Sequence, residues 1–271
     1  MKKISLVLIV SLLLTYTVFA GVEWTSTTTI KSTDKKANNV IVSVVSAEKG
    51  NLKQTFTSVD KKSQVYFDKG YWLYKADTDL IYIVNEKDKT YMALSLDDLL
   101  QMAGMFGQLV KFEILDQSVN AETLPGETIL GFPCNHIKII SDYTMKVKFL
   151  FIKKTMTIHE VKEIWATPAM TGLNEINKIF QKKNFKTGIP DLDAMVQKQI
   201  AMQKNLGFPI KTVTQQTQLG KKGKVEVETT TTMEMTDIKE KSFPAAFFEI
   251  PAGYKELNTE PEGGKGKFKL F

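Results

Sequence analysis

The sequence is poor in the residues that carry most enzyme chemistry. It contains one cysteine, Cys134, two histidines, His136 and His159, and no arginine. A single cysteine excludes an intramolecular disulfide, so a hydrophobic core must stabilise the fold. Nucleic-acid readers concentrate Lys and Arg on one face, often with base-contacting arginines. The basic residues here are scattered lysines, so we expect no nucleic-acid binding.

Catalytic and metal-binding motifs are also missing from the sequence. There is no phosphate-binding glycine loop, no G-x-S-x-G elbow and no H-E-x-x-H. Cys134 and His136 would share one face of a strand, and with His159 they offer three zinc ligands, but no second paired ligand motif accompanies them. A Cys-His nucleophile also lacks an identifiable third, orienting residue. We therefore expect no metal, no cofactor and no enzymatic activity.

The first twenty residues have the pattern of a signal peptide. Lys2 and Lys3 precede an apolar run, residues 4–14, that is too short to span a bilayer comfortably, and VFA follows at residues 18–20. We predict cleavage after Ala20 and a periplasmic or secreted protein. Loss of the two lysines lowers the formal net charge from +6 to +4. Because no later segment is apolar enough to span a bilayer, we expect a soluble protein with at most peripheral membrane contact.

Residues 66–94 are the stretch around which the rest of the chain is organised. They read YFDKGYWLYKADTDLIYIVNEKDKTYMAL, and charged turns separate short β-branched and aromatic segments. This pattern predicts an antiparallel meander with apolar side chains on both faces. Such a sheet needs two covers, or one cover and a ligand.

Three helices are predicted among the strands, as inserts near residues 96–109 and 168–206. Ser95 and Asp98 resemble a capping box at the start of the first helix. Thr167-Pro168 and Pro190 predict the starts of the other two. We expect residues 21–256 to form a single domain and residues 257–271 to form a flexible tail.

Three short motifs resemble known families. FDKGYWLY at residues 67–74 with LIYIV at residues 80–84 resembles hairpins of the periplasmic lipoprotein carriers of the Lol type. FFEIPAGY at residues 247–254 resembles the terminus of a secreted family, domain of unknown function 4412, and GFPC at residues 131–134 is similar to its middle section. The resemblance implies an α+β, mainly β fold: a curved antiparallel sheet or half-open β-barrel, with three helices packed as a lid on its concave face.

The resemblance also implies a function without chemistry. The carriers hold acyl chains in the concave face, but the arginine that clamps their lid has no counterpart here, so we expect a generic apolar trough. A lipid, an acyl chain or a lipidated protein would bind between sheet and helices of a monomer. The predicted lining is Trp72, Tyr74, Tyr82, Val84, Met102, Met105, Phe106 and Met195. The alternative is an envelope protein-interaction or sensing module with a closed, dry core, in which the methionines fill gaps.

Overall fold

A computed structural model of the chain describes residues 21–60, 70–95, 110–149, 152–170, 173, 190–220 and 223–257. In these ranges the secondary structure is mostly strand, with one α-helix, α1, at Pro190–Met202. The strands are β1 Gly21–Ser32, β2 Asn39–Glu48, β3 Asn51–Val59, β4 Gly70–Lys75, β5 Leu80–Asn85, β6 Thr90–Ser95, β7 Val110–Ile129, β8 Phe132–Phe149, β9 Ile152–Thr167, β10 Phe208–Leu219, β11 Val225–Lys241 and β12 Lys255–Glu256. Single 3-10 turns lie at Lys35–Ala37 and Ala245–Phe248.

These described strands form one sheet in the order β12-β6-β5-β4-β3-β2-β1-β11-β10-β9-β8-β7. Every neighbouring pair is antiparallel except β12 and β6, which run parallel. The predicted antiparallel, mainly β class is therefore confirmed. Strands from the two ends of the chain, β1 and β11, meet in the middle of the sheet. This pairing joins two strands that are far apart in the sequence.

The predicted lid of three helices is wrong, because the described residues contain only α1 and a large sheet of mixed pairing. Where the second predicted helix would start, Thr167 is the last residue of β9, is fully buried and pairs with Phe208 in the ladder. Its hydroxyl accepts from the Ala169 N–H at 3.2 Å, a bond of the kind that an N-cap side chain makes. The first predicted helix, residues 96–109, lies outside the described residues, as do 171–172 and 174–189.

The predicted signal peptide, residues 1–20, and nearly all of the predicted tail, residues 258–271, also lie outside the described residues. Cleavage after Ala20, the flexible tail and the single domain at residues 21–256 therefore stay predictions.

Most of the core lies on one face of the sheet, which we call the inner face. Side chains of directly paired residues share a face, and by this rule the inner face carries Trp24, Val45, Ile137 and Ile164. Two of its hydrophobic clusters contain buried residues from β1, β2 and β8 to β11. Together these clusters supply the hydrophobic core that must stabilise the fold, since a single cysteine cannot form an intramolecular disulfide.

Helix α1 and two nearby residues cover part of the inner face. Gln199 of α1 donates to Ser141 at 3.0 Å, and Met202 packs against the isoleucines of β8 and β9. Further along the sheet, Met170 and Leu173 join the cluster around Trp24. The covered region therefore runs from β8 to β2.

A buried carboxylate fastens the two central strands on the other face, the outer face. Glu23 lies within hydrogen-bond distance of Lys241 at 2.7 Å, of Lys239 at 3.2 Å and of the Ser46 hydroxyl at 3.3 Å. Burial alone raises the pKa of Glu23, but the two ammonium groups outweigh it, so the pKa lies below its ordinary value. Glu23 is therefore an ionised anchor between β1, β2 and β11.

Tight turns fix the registers of the hairpins. Between β2 and β3, Lys49 and Gly50 both have positive φ, at 51° and 82°. Between β7 and β8, Leu130 and Gly131 do the same, at 53° and 82°. Two consecutive left-handed residues are typical of the type I′ turn, whose twist matches that of antiparallel strands.

Candidate functional site: an apolar face on strands β3 to β6

The inner face of β3 to β6 consists of two apolar rows that cross the strands. Leu52, Tyr74, Ile81 and Leu94 are paired in succession, and so are Gln54, Trp72, Ile83 and Met92. Phe56, two residues after Gln54, extends the second row. We call the apolar members the hairpin face: Leu52, Phe56, Trp72, Tyr74, Ile81, Ile83, Met92 and Leu94.

Burial within the hairpin face differs between the two rows. Tyr74 and Leu94 are buried, at 7% and 3% exposed, whereas Phe56, Trp72 and Ile83 are only partly buried. Trp72 and Phe56 form an edge-to-face pair with centroids 5.8 Å apart, a preferred geometry for aromatic rings. The row through Trp72 therefore presents rigid aromatic and aliphatic surface that is not fully enclosed.

One polar contact at the end of the hairpin face orients Tyr74. Its hydroxyl donates to the Asp79 carboxylate at 2.9 Å, in the turn between β4 and β5. Burial, followed by the bond and the charge of Asp79, raises the pKa of Tyr74 to about 12. The phenol therefore stays neutral in ordinary buffers and keeps the ring fixed at the end of its strand.

A second polar contact borders the hairpin face beside Phe56 and Trp72, whereas Leu52 packs against the covered core. Gln54 of β3 donates from Nε2 to the Ser43 hydroxyl of β2 at 3.1 Å. Beyond this pair lie Val45 and Trp24, which belong to the cluster that contains Met170. Because both polar groups are satisfied, this border costs little inside an apolar surface.

The C-terminal segment, residues 243–257, covers the outer face of the same strands. Phe248 is 4% exposed and belongs to a cluster with Tyr71, Leu73 and Val84. The remaining members pack around them: Tyr82, Tyr91, Phe243, Phe247, Ile250 and Tyr254. The sequence predicts that this meander needs two covers, or one cover and a ligand, and the C-terminal segment is one cover.

A lysine lies between the sheet and this segment. The Lys53 ammonium is 3.8 Å from the ring centroid of Tyr71 and 4.8 Å from that of Phe247. Both distances suit cation–π attraction, which is stronger where water is excluded. Burial lowers the pKa of Lys53 and, with the nearby charge of Glu86, raises that of Tyr71 to about 12.

The residues of FFEIPAGY have structural roles in this cover. Phe248 is its buried anchor, and Glu249 pairs with Lys75 of β4 at 2.7 Å. Gly253 has φ of 84°, a left-handed conformation that favours glycine. The chain then continues into β12, which pairs in parallel with β6.

The sequence-predicted site residues fall into several places. Trp72 and Tyr74 lie together on the hairpin face, whereas Tyr82 and Val84 pair with Leu73 and Tyr71 on the outer face, under the C-terminal segment. Met195 is buried on α1, which packs beside β7. Met102, Met105 and Phe106 lie outside the described residues.

Six members of the hairpin face were missed by the sequence analysis: Leu52, Phe56, Ile81, Ile83, Met92 and Leu94. The signal that finds four of them is the length of the turns. Four residues, 76–79, separate Lys75 from Leu80, and four more, 86–89, separate β5 from β6. The number of residues in each turn fixes which residues pair across the hairpin. The period of two then assigns each side chain to one face of the sheet.

The cysteine and the histidines occupy separate environments. Cys134 is buried, donates weakly to the Phe132 carbonyl at 3.4 Å, and has a pKa raised mainly by burial. His136 stacks on Trp165 and lies 2.9 Å from Glu163, whereas His159 pairs with Asp142 at 2.7 Å. No group of three or more metal-ligating side chains occurs within the described ranges.

None of the helical residues that the structure describes forms a helix long and apolar enough to cross a membrane. Among curated proteins, none matches this sequence.

Among solved structures, the chain is similar to a DUF1329 family protein from Desulfovibrio piger, at 8% identity. The match covers 85% of this chain and 90% of that protein, with a TM-score of 0.17. That value is too low to support any inference about fold or function.

The sequence model of "Domain of unknown function (DUF4412)" matches residues 69–254, which is more than half of the chain. The matched range begins just before β4 and ends at Tyr254, so it contains both the hairpins and their C-terminal cover. The resemblance predicted from FFEIPAGY and GFPC is thus confirmed, and the chain belongs to the DUF4412 family.

Proposed function

We propose that the protein binds an apolar ligand, the acyl chain of a lipid or of a lipidated partner, on the hairpin face. The observation that carries this proposal is the continuous apolar surface across four strands, with Trp72, Ile83 and Met92 aligned and only partly buried. The proposal includes the periplasmic or secreted location that residues 1–20 predict.

The composition of the hairpin face favours long, uncharged chains. Its eight members carry no ionisable group other than the Tyr74 phenol. Burial of each methylene gains roughly 0.8 kcal/mol, so a twelve-carbon stretch gains roughly 10 kcal/mol. Association costs on the order of 4–15 kcal/mol. Short chains therefore cannot bind well, and affinity should rise with chain length.

Neither bond making nor bond breaking is part of the proposal. The hairpin face offers shape, apolar contact and three aromatic rings, and none of its side chains is a nucleophile or a general base at neutral pH. A methionine in the contact row adds flexible, polarizable surface that adapts to different apolar ligands. We accordingly propose carriage or sequestration of a hydrophobic ligand, with no catalysis.

Trp72 provides a direct test, because bromine quenches tryptophan fluorescence only at short range. The other two tryptophans are not members of the hairpin face: Trp24 is buried in the core cluster with Met170, and Trp165 stacks on His136 and packs against that same cluster. Titration with a fatty acid brominated near the middle of its chain should quench the protein, and Trp72→Phe should remove most of the quenching.

The matched control is Trp165→Phe, which should leave the quenching amplitude nearly unchanged. A fluorescent fatty acid added to both variants separates loss of the reporter from loss of binding. Quenching that persists in Trp72→Phe would place the ligand elsewhere. No uptake of either probe by the wild-type protein would refute the proposal and favour the closed, dry-core module.

A further inference from the structure

Strand β7 is an edge of the sheet, and its middle is exposed. In the described part of the chain β7 pairs with β8 alone, because it stands last in the strand order. Residues 120–123 are all exposed, although their side chains alternate between the two faces of the sheet. Water therefore reaches both faces of this stretch, and the backbone N–H and C=O groups that point away from β8 are open to another strand.

The opposite edge of the sheet, at β6, carries a protecting strand. There the Lys255 N–H donates to the Lys89 carbonyl at 2.9 Å, and β12 pairs in parallel with the start of β6. Strand β12 consists only of Lys255 and Glu256, and a very short, charged strand is a poor template for a further chain. Among the described residues, β7 has no comparable cover.

The part of β7 that could accept a further strand is a regular run of seven residues, 118–124. This run pairs with β8 without a break, and the register shifts on either side of it, between Leu115 and Ser118 and between Leu124 and Glu127. Bulges bend a strand and interrupt its pairing, so a partner would pair regularly with this run and not beyond it. The run contains neither proline nor lysine, which natural edge strands use against pairing.

The order of residues in the run favours a second copy of the same strand. If two copies pair antiparallel over residues 118–124, Ala121 is at the centre and faces Ala121 of the second copy. Glu122 is the only charged residue of the run, and this register places it opposite Asn120 of the second copy, whose amide can donate to a carboxylate. A shift that centred the pair on Glu122 would oppose two carboxylates, which destabilises antiparallel pairing. The run is thus complementary to itself in charge, with its smallest side chain at the centre.

We propose that β7 is a homodimer interface, at which residues 118–124 of two copies pair antiparallel and join their sheets into one. Such an isologous contact uses the same surface on both copies, so it closes at two and builds no filament. Pairing over this run makes roughly six to eight backbone hydrogen bonds. Seven residues a side are fewer than the roughly 20–30 of a standard interface, so the dimer should dissociate on dilution.

Analytical ultracentrifugation of the purified protein over a range of concentrations measures the dimerisation constant. Ala121→Lys should weaken dimerisation roughly fivefold or more, because two ammonium groups would face each other at the centre of the contact. Ala121→Glu should weaken it to a similar extent. An equal mixture of the two variants should restore the dimer, since an ammonium group then faces a carboxylate. Ala121 is exposed, so both variants should fold, as thermal unfolding of each can verify.

A further variant tests the register in the opposite direction. Asn120→Lys places an ammonium group opposite Glu122 of the second copy, twice in each dimer, and should tighten dimerisation roughly fivefold or more. The matched control is Gln215→Lys, which adds the same charge at an exposed position of β10, a strand that is paired on both sides. This control should leave the dimerisation constant nearly unchanged.

Three results would overturn the proposal. The first is a wild-type protein that stays monomeric at its highest soluble concentration, which is the state expected from the sequence. The second is a dimer that Ala121→Lys leaves unchanged, and the third is a mixture of the two Ala121 variants that forms no more dimer than either variant alone. Because β7 and the hairpin face lie towards opposite ends of the strand order, fatty-acid uptake by every variant should equal that of the wild type.

Discussion

Replacing Phe248 with alanine tests how firmly the C-terminal segment holds the outer face of the sheet. Phe248 is 4% exposed and packs in one cluster with Tyr71, Leu73 and Val84. Its ring also makes edge-to-face contacts with Phe243 and Phe247, at centroid distances of 5.4 and 5.0 Å. The substitution removes the central ring of the cluster and leaves a cavity between segment and sheet.

The expected loss follows from the size of that cavity. Replacement of a buried phenylalanine by alanine costs roughly 3–5 kcal/mol, because transfer and cavity terms add. This cost already includes the loss of the two edge-to-face contacts of the Phe248 ring. Since domains unfold with about 5–15 kcal/mol in total, the variant should lose about a fifth or more of its stability. Phe248→Leu, which keeps much of the apolar volume, should lose less than about 1.5 kcal/mol.

Urea unfolding measures this loss as a fall in the midpoint at an unchanged slope. Hydrogen exchange adds a local readout, because the Lys255 and Leu257 N–H groups donate to the Lys89 and Tyr91 carbonyls at 2.9 and 2.8 Å. Both amides should exchange faster in Phe248→Ala. A loss below about 1 kcal/mol with unaltered exchange would refute the role of the segment as a cover.

Three further predictions concern charge and backbone. Glu23→Gln should cost roughly 1–3 kcal/mol of unfolding free energy near neutral pH. Because the pKa of Glu23 is lowered in the fold, this advantage of the wild type should persist above pH 4.5 and disappear as the pH falls through the lowered pKa. Urea titrations of both proteins at several pH values measure it. Tyr71 and Tyr74 both have pKa values raised from 10.0 to about 12, so the stability that their neutral phenols contribute is complete below pH 10 and is lost as the pH rises to 12. Absorbance titration should show Tyr71 and Tyr74 among the late-ionising tyrosines, together with Tyr91 and Tyr143, whose pKa values burial also raises, and Tyr74→Phe should remove one of them. Gly70→Ala should destabilise by about 1–3 kcal/mol in thermal unfolding, because the new Cβ would overlap the Val84 carbonyl; an unchanged midpoint would contradict the packing of β4 against β5.

The hairpins of the central meander could be predicted because their turns are local. Charged tips at residues 77–79 and 85–89 separate β-branched and aromatic segments, and the structure has turns at 76–79 and 86–89. Turn chemistry and the period of two are both properties of a few neighbouring residues. The same period of two predicts that Lys146 and Lys148 lie on the face opposite Met145 and Val147, and in the structure the two lysines are exposed and the other two residues are partly buried.

Strand β7 shows where local turn signals mislead. Pro125 and Gly126 predict a turn, but the structure accommodates them in a bulge of one long strand, where the register shifts between Leu124 and Glu127. Because β7 is at the edge of the sheet, the missing N–H of proline leaves no ladder bond unmade. Gly126 lies so close to the Cys134 carbonyl that a side chain would not fit. Pro125 and Gly126 form a bulge rather than a turn because β7 lies at the edge of the sheet, a position that the local sequence does not reveal.

The candidate site was predictable only in part, for a related reason. The sequence predicts Trp72 and Tyr74 as aromatic site residues of one strand, and they do share a face. Tyr82 and Val84 have the same chemical character but lie on the other face, because the pairing of Leu73 with Tyr82 sets their direction. Composition identifies apolar residues, whereas the register decides which of them meet.

The three-helix prediction failed because it depended on local patterns alone. Apolar periodicity and capping residues are compatible with a helix, but most helical stability in proteins comes from tertiary packing. The third prediction, which began at Pro190 with Asp191 and Asp193 in its first turn, is confirmed as α1.

Native mass spectrometry tests the central claim, that the hairpin face holds an acyl chain, most directly. The protein is purified without detergent from cells that produce it, alongside Ile83→Lys, which places a charge between Trp72 and Met92 in the contact row. We expect a lipid-sized adduct on the wild-type protein and its loss from the variant, with both proteins folded. A wild-type protein that carries no adduct and takes up no added fatty acid, or a variant that retains its adduct in full, would rule out the hairpin face as an acyl-chain site.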